Sequence, residues 1–373
     1  MQAFSRRNFL KTLAVATSTP LLISASLTTL QEDKGAFIDK LLPAPKLGGF
    51  SMDDHWVWDP SVIKGEDGRY HMFASAWSKK YGFGNWATNS QVVRAVSDRP
   101  EGPYHFVEVV LPARGRQFFD GLTTHNPRIV KADGYYVLYY FGNTYDHPQP
   151  AYDEDVWATG LAKEAWMNKR IGMAYSKSIK GPWIRADQPM LNPRKGKWDA
   201  SITSNPSPVV LPDGSVYLLY KSSPFNYDPP LLLGAAKASS FKGPFERLSD
   251  NPIFSFHTKE KHDNDVEDPF VWWNGKEYEL IMKDRFGHIC GEEGGGIHAF
   301  STDGVSWRLA DQVKAYSKKI LWDDGSTTIQ ANFERPFLLF ENGKATHLFA
   351  ATGSGSGPYQ FDKTWNMVIP LKE

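Results

Sequence analysis

One phrase recurs five times along this chain, and it limits the fold more than any other feature. It consists of a polar or charged residue, a proline, a short apolar run, a turn, and an aromatic-rich strand. The copies start at Asp59-Pro60, Asn126-Pro127, Asn205-Pro206, Asp268-Pro269 and Arg335-Pro336, and their prolines lie 67, 79, 63 and 67 residues apart. Between the paired strands stand Asp67-Gly68, Asp133-Gly134, Asp213-Gly214, Asn274-Gly275 and Asn342-Gly343. Such dipeptides supply the positive backbone angles of two-residue hairpin turns.

A second phrase follows in four of the copies, a small-residue strand leading to a turn and an aromatic. Its ends are Gly102-Pro103-Tyr104, Gly181-Pro182-Trp183, Gly243-Pro244-Phe245 and Val305-Ser306-Trp307. Each unit of about 69 residues therefore holds about four strands. Units of four antiparallel strands repeated radially make a β-propeller. The expectation is an all-β, five-bladed propeller rather than a β-sandwich with loosely similar hairpins. Asn143 to Arg170 breaks the period and reads as a loop or short helix over the rim. Gly291 to Gly296 lacks phosphate-loop spacing and reads as a tight turn, and Thr258 to Asp263 as a solvated loop.

Composition narrows the function. Lys+Arg and Asp+Glu both number 42, so no excess of basic charge points to nucleic acid. The single cysteine, Cys290, excludes a disulfide framework, a cysteine-ligated zinc and an iron–sulfur cluster. Aromatic residues make up 14% of the chain and supply flat faces on which sugar rings stack. Residues 1–30 read as a twin-arginine-type export signal, because Ser5-Arg6-Arg7-Asn8-Phe9-Leu10-Lys11 precedes a mildly apolar run. Residues 31–373 then form a single propeller domain, periplasmic or secreted, with no membrane association once the signal is cleaved. Nothing in the sequence speaks to oligomeric state.

In a propeller, the starts of the innermost strands converge on one mouth of the central channel. Carboxylates stand there in three units: Asp59, the pair Glu267-Asp268, and Glu334 ahead of Arg335. Crowded carboxylates push their pKa values apart, separating an acid from a base as glycosidic hydrolysis requires. The same acids would also suit a cation such as calcium, although the chemistry requires no cofactor. Asn126, Asn205 and His125 either line this site or only complete strand starts. Asp120 and Asp199 each precede a repeated proline by seven residues, and either reach the pocket mouth or stabilise a turn. Arg335 would bind a carboxylate or sulfate substituent, or neutralise the acids. Trp58, with Trp56 and Trp77, is a candidate for stacking on a sugar face.

These residues also carry a resemblance. Trp58-Asp59-Pro60-Ser61-Val62 resembles the first-blade D-P motif of glycoside hydrolase family 43 and the wider five-bladed glycosidases. The resemblance implies Asp59 as general base, or as nucleophile in retaining relatives. It implies as general acid a Glu two residues before a proline. Glu334-Arg335-Pro336 is similar to the E-R-P form of the levansucrases, and Glu267-Asp268-Pro269 fits the same frame. The family places a further Asp on the second blade and the acid on the third. Here those places hold His125-Asn126-Pro127 and Ser204-Asn205-Pro206, which marks a divergent relative. The expected activity is inverting hydrolysis through an activated water, exo-acting where the Asn143–Arg170 insert closes the channel into a pocket, so that terminal sugars are removed from plant or algal oligosaccharides or polysaccharides; an open groove would mean endo-action. The alternatives are a non-catalytic carbohydrate-binding propeller, or a lyase or phosphorylase on the same scaffold. A phosphorylase would draw its phosphate site from Arg335, Arg128 or Lys221.

Overall fold

The computed structural model describes residues 35–224, 230–254 and 266–372. The export signal expected over residues 1–30 and the charged run Thr258 to Asp263 lie outside the described residues.

The chain is a five-bladed β-propeller. The first blade is β1 (His55–Lys64), β2 (Tyr70–Ser78), β3 (Gln91–Ser97) and β4 (His105–Leu111). The second is β5 (Thr123–Ala132), β6 (Tyr135–Asn143), β7 (Arg170–Ser176) and β8 (Ile184–Arg185). The third is β9 (Ser204–Val210), β10 (Val216–Ser222), β11 (Leu232–Ala238) and β12 (Glu246–Arg247). The fourth is β13 (Val266–Trp273), β14 (Tyr278–Asp284), β15 (Gly296–Ser301) and β16 (Arg308–Tyr316). A small ribbon, β17 (Lys319–Leu321) with β18 (Thr327–Ile329), leads to the fifth blade. That blade is β19 (Phe333–Glu341), β20 (Lys344–Gly357) and β21 (Gln360–Pro370).

Strands pair antiparallel in chain order within each blade. The inner strands β1, β5, β9, β13 and β19 pack side to side in sequence, and β19 meets β1 to close the ring. The fifth blade departs from the expected four strands by having three. It also lacks the second phrase. Its outer edge is partly covered by the chain's entry segment, where Phe50 and Asn366 exchange two backbone hydrogen bonds of 2.9 and 2.8 Å.

The hairpins separate into two kinds. Asp133-Gly134 and Asn342-Gly343 are two-residue turns in which both residues have positive φ. At Asp67-Gly68, Asp213-Gly214 and Asn274-Gly275 only the glycine does, so these three are not the expected two-residue turns. There the loop is lengthened by its own hydrogen bonds, such as Gly65 N to Arg69 O at 2.8 Å and Leu211 N to Ser215 O at 2.8 Å.

Each copy of the second phrase latches its blade to the one before. Trp183 sets its ring edge-on to Phe73 at 5.5 Å, and Phe245 does the same to Tyr139 at 6.1 Å. Trp307 stacks on Phe254 at 5.3 Å, and Tyr104 of the first blade meets Phe349 of the fifth at 6.3 Å. An aromatic pair of this kind contributes about 0.5–1.5 kcal/mol beyond its area. Trp183→Ala is therefore expected to lower the free energy of unfolding by about 1–2 kcal/mol in a denaturant titration.

The repeated prolines set the geometry of the channel. A proline cannot donate to a ladder, so inside a sheet it belongs at a bulge. The pairing register of the inner strand against its neighbour slips across the proline in all five blades. The residue just before it is left-handed every time: Asp59 at φ 55°, Asn126 at 56°, Asn205 at 49°, Asp268 at 60° and Arg335 at 57°. Asp and Asn tolerate that conformation better than other side chains, which is why four of the five positions carry them. Arg335 is the exception and must be held there by its contacts.

Candidate active site

The starts of the inner strands surround a cavity of about 550 Å³ at one mouth of the channel. The far ends of the same strands surround a separate, mainly apolar hollow of about 450 Å³. Arg128, buried, lines the second hollow and donates to Pro60 O and Pro336 O at 3.1 Å each.

Of the residues singled out from the sequence, Trp58, His125, Asn205, Glu267, Glu334 and Arg335 line the first cavity. Asp59, Asn126 and Asp268 are buried and are not among the lining residues. Asp59 is fully enclosed: its Oδ2 accepts from Ser75 Oγ at 2.5 Å and lies 2.8 Å from His125 Nε2. Its Oδ1 lies 3.0 Å from Arg335 Nε. Burial alone would raise the pKa of Asp59, but His125, Arg335 and Ser75 outweigh it and hold the carboxyl well below its usual range. His125 also hydrogen-bonds Ser90 Oγ through Nδ1 at 2.8 Å, and burial lowers its own pKa against the pull of Asp59.

Arg335 is the knot of the site. Its Nη1 pairs with Asp268 Oδ1, and its Nη2 stands 4.0 Å from Glu267 Oε1. Because one guanidinium reaches both Asp59 and Glu267, their carboxylates lie within about 10 Å of each other, close enough to face one sugar. Of the two roles expected for Arg335, the contacts are those of a neutraliser rather than of a substrate anchor. Asp268 is further bound by Asn205 Nδ2 at 2.7 Å.

Two lysines complete the acid cluster. Lys221 pairs with Glu267 Oε1, and Lys283 with Glu334 Oε1. Burial would raise the pKa of Glu267, but Lys221, Arg335, Arg285 and Lys283 together keep it well below the ordinary value. Burial draws Lys221 down to about 8 against the pull of Glu267, so at neutral pH the pair remains ionic. Glu334 Oε1 also accepts from Tyr359 OH at 2.7 Å and Asn332 Nδ2 at 2.9 Å. Burial and the neighbouring Glu334 push the Tyr359 phenol up to about 12, which keeps it a donor. Glu334 Oε2, by contrast, has no donor among the described residues.

Sequence reasoning missed Lys283 and Tyr359 altogether. The available signal for the lysines was a Lys closing an otherwise apolar strand, as in Leu218-Leu219-Tyr220-Lys221 and Leu280-Ile281-Met282-Lys283.

Asp120 and Asp199 do not reach the pocket mouth, and that expectation is corrected. Each is fully buried between two arginines and a tyrosine: Arg114, Arg185 and Tyr140 for Asp120, and Arg194, Arg247 and Tyr220 for Asp199. The repeated Asp tacks the outer strand of its blade to the second strand. Among the described residues no three acids, histidines or cysteines are grouped to hold a metal. Where calcium would bridge Asp59, Asp268 and Glu267, the Arg335 guanidinium already stands, so these acids do not fit a calcium cradle.

The cavity walls are aromatic. Trp58 and Trp77 pack around Phe83, at 5.3 Å each. The insert after β6 carries a short helix, α1 (Leu161–Met167), and brings Trp157, Trp166 and Lys169 to the rim. Trp56 packs on the same Phe83 at 5.7 Å without lining the cavity, and donates Nε1 to Tyr81 O at 3.1 Å.

No protein-family model matches the chain, and no curated protein matches it. Solved structures do. A family 117 glycoside hydrolase from the marine bacterium Zobellia galactanivorans aligns at TM-score 0.61 and 16% identity, over 89% of each chain. A thermostable family-43 glycoside hydrolase aligns at 0.59 and 15%, over 89% of this chain and 93% of that one. The native arabinanase of Bacillus subtilis aligns at 0.54 and 14%, over 87% and 97%. At these identities the likeness is one of fold: the chain shares the five-bladed scaffold of these glycoside hydrolases.

Proposed function

We propose that this chain is a glycoside hydrolase acting on terminal sugars of plant or algal polysaccharide fragments. The observation that carries the reading is the pair Glu267 and Glu334, two carboxylates on adjacent blades facing one aromatic-walled cavity in a scaffold shared with glycosidases. Such a pair can supply a proton to the leaving oxygen on one side and take one from water on the other.

The hydrogen bonding favours Glu334 as the acid. Its Oε1 is engaged by three donors, which leaves Oε2 as the oxygen available to the substrate. Glu267 has Lys221 and Arg335 on one oxygen and Arg285 3.7 Å from the other. It is therefore kept ionised, as a base must be. Asp59, the base that the resemblance implies, lies one layer deeper. In this reading it positions His125 and Arg335, and through Arg335 it orients Glu267. Attack by an activated water gives inversion. The wall built by Trp157, Trp166 and Lys169 supports a pocket, hence exo-action. The Ser5–Lys11 leader supports a periplasmic or secreted enzyme.

Chromatography of digests from a panel of plant and algal oligosaccharides tests this. Single sugars should accumulate from the first minutes, and proton NMR should show the first-formed anomer inverted. A panel bound but left uncut would reduce the protein to a carbohydrate-binding propeller.

A further inference from the structure

The cations around the cavity are not equivalent. Arg335 is engaged by Asp59 and Asp268, Lys221 by Glu267, and Lys283 by Glu334. Lys169, at the end of the insert, differs from all three. It is only 1% exposed, yet it lines the cavity. Its Nζ lies 4.2 Å from the ring centre of Trp166, 5.2 Å from Phe141 and 5.5 Å from Trp86. It has no hydrogen-bond acceptor and no ion-pair partner among the described residues.

A lysine packed on aromatic rings ordinarily extends its ammonium to water. Here the ammonium stops inside, three donors facing rings and open cavity. The rings offer their negative faces to a cation but satisfy none of its N–H groups. Burial, with Lys221 and Arg335 adding repulsion, draws its pKa well below the ordinary range against the pull of Glu267. An acceptor carrying negative charge is what this position lacks.

We propose that Lys169 anchors an anionic substituent, a carboxylate or a sulfate ester, on the sugar occupying the cavity. This rests on the glycosidase reading and specifies its substrate: an acidic rather than a neutral saccharide. Arg335, the anion binder expected from the sequence, is already neutralised by carboxylates, and the role passes to the insert.

Two matched sets of probes test this. One is oligogalacturonides against their carboxyl-reduced neutral counterparts; the other is sulfated galactan oligosaccharides against their desulfated forms. The ratio of kcat/KM for the charged over the neutral member should favour the charged one in the wild type. In Lys169→Met it should fall about 10- to 100-fold, the worth of a lost charge-assisted hydrogen bond, and Lys169→Arg should retain most of it. The set that shows the preference identifies the anion as carboxylate or sulfate. Calorimetry on the wild-type protein gives a readout independent of any variant, since the charged probe should bind more tightly than its neutral counterpart. Equal kcat/KM for charged and neutral members would overturn the inference while leaving the glycosidase intact. So would a ratio unmoved by Lys169→Met. Failure to bind or cleave any member of either set would overturn both.

Discussion

Glu334→Gln is expected to lower kcat on natural oligosaccharides by about 10²- to 10⁴-fold, the usual contribution of a positioned general acid. The amide keeps the size of the side chain and an oxygen for Tyr359, Asn332 and Lys283, but it has no proton to give. The loss should shrink greatly on a nitrophenyl glycoside, whose leaving group departs without protonation. Glu267→Gln should show no such relief, because water must still be activated whichever group leaves. A merely structural role for Glu334 would lower both substrates alike. Steady-state kinetics with the two substrate types therefore separates acid from scaffold.

Arg335→Met is expected to be the most destabilising single change in the channel. The side chain holds a left-handed backbone that neither Asn nor Asp makes easy here, and it stands against Asp59 and Asp268, both almost wholly buried. Removing one partner of a buried ion pair costs about 3–5 kcal/mol, seen as a fall of roughly 4–7 °C in Tm for a chain of this size. The pH dependence has a definite sign. The folded pKa of Asp59 lies below its ordinary value of 3.8. Its ion pairs therefore stabilise fully above that value, and the contribution is lost as pH falls beneath it. In the variant, protonation relieves a buried, uncompensated carboxylate instead. The gap in stability between wild type and Arg335→Met should therefore narrow as the pH is lowered from 7 toward 3. A second replacement, Asp268→Asn, should restore part of the Tm, the mark of coupled partners.

The architecture was legible because it is written in local, repeated chemistry. A proline after a left-handed Asp or Asn, a Gly-bearing hairpin turn, and an aromatic after a third strand each act within a few residues and recur blade after blade. What resisted reading was pairing across blades. Asp120 looked like a pocket residue because its partner Arg185 stands 65 positions away, and only the folded blade brings the two together. Arg335 looked like a ligand for substrate because nothing in Glu334-Arg335-Pro336 reveals that Asp59, from the opposite end of the chain, lies beside it. Lys169 carried no motif at all. Its meaning comes from three rings, two of them on separate elements, and from the missing acceptor.

The most direct measurement is a crystal structure of Glu334→Gln soaked with an oligosaccharide that the wild type cleaves. The terminal sugar is expected inside the cavity bounded by Trp58, Trp77 and Trp157, its glycosidic oxygen about 2.6–3.2 Å from the residue 334 side chain, with Glu267 on the other face of the ring. A saccharide lodged in the apolar hollow at the far mouth, or on the outer blade surface with this cavity left to solvent, would contradict it.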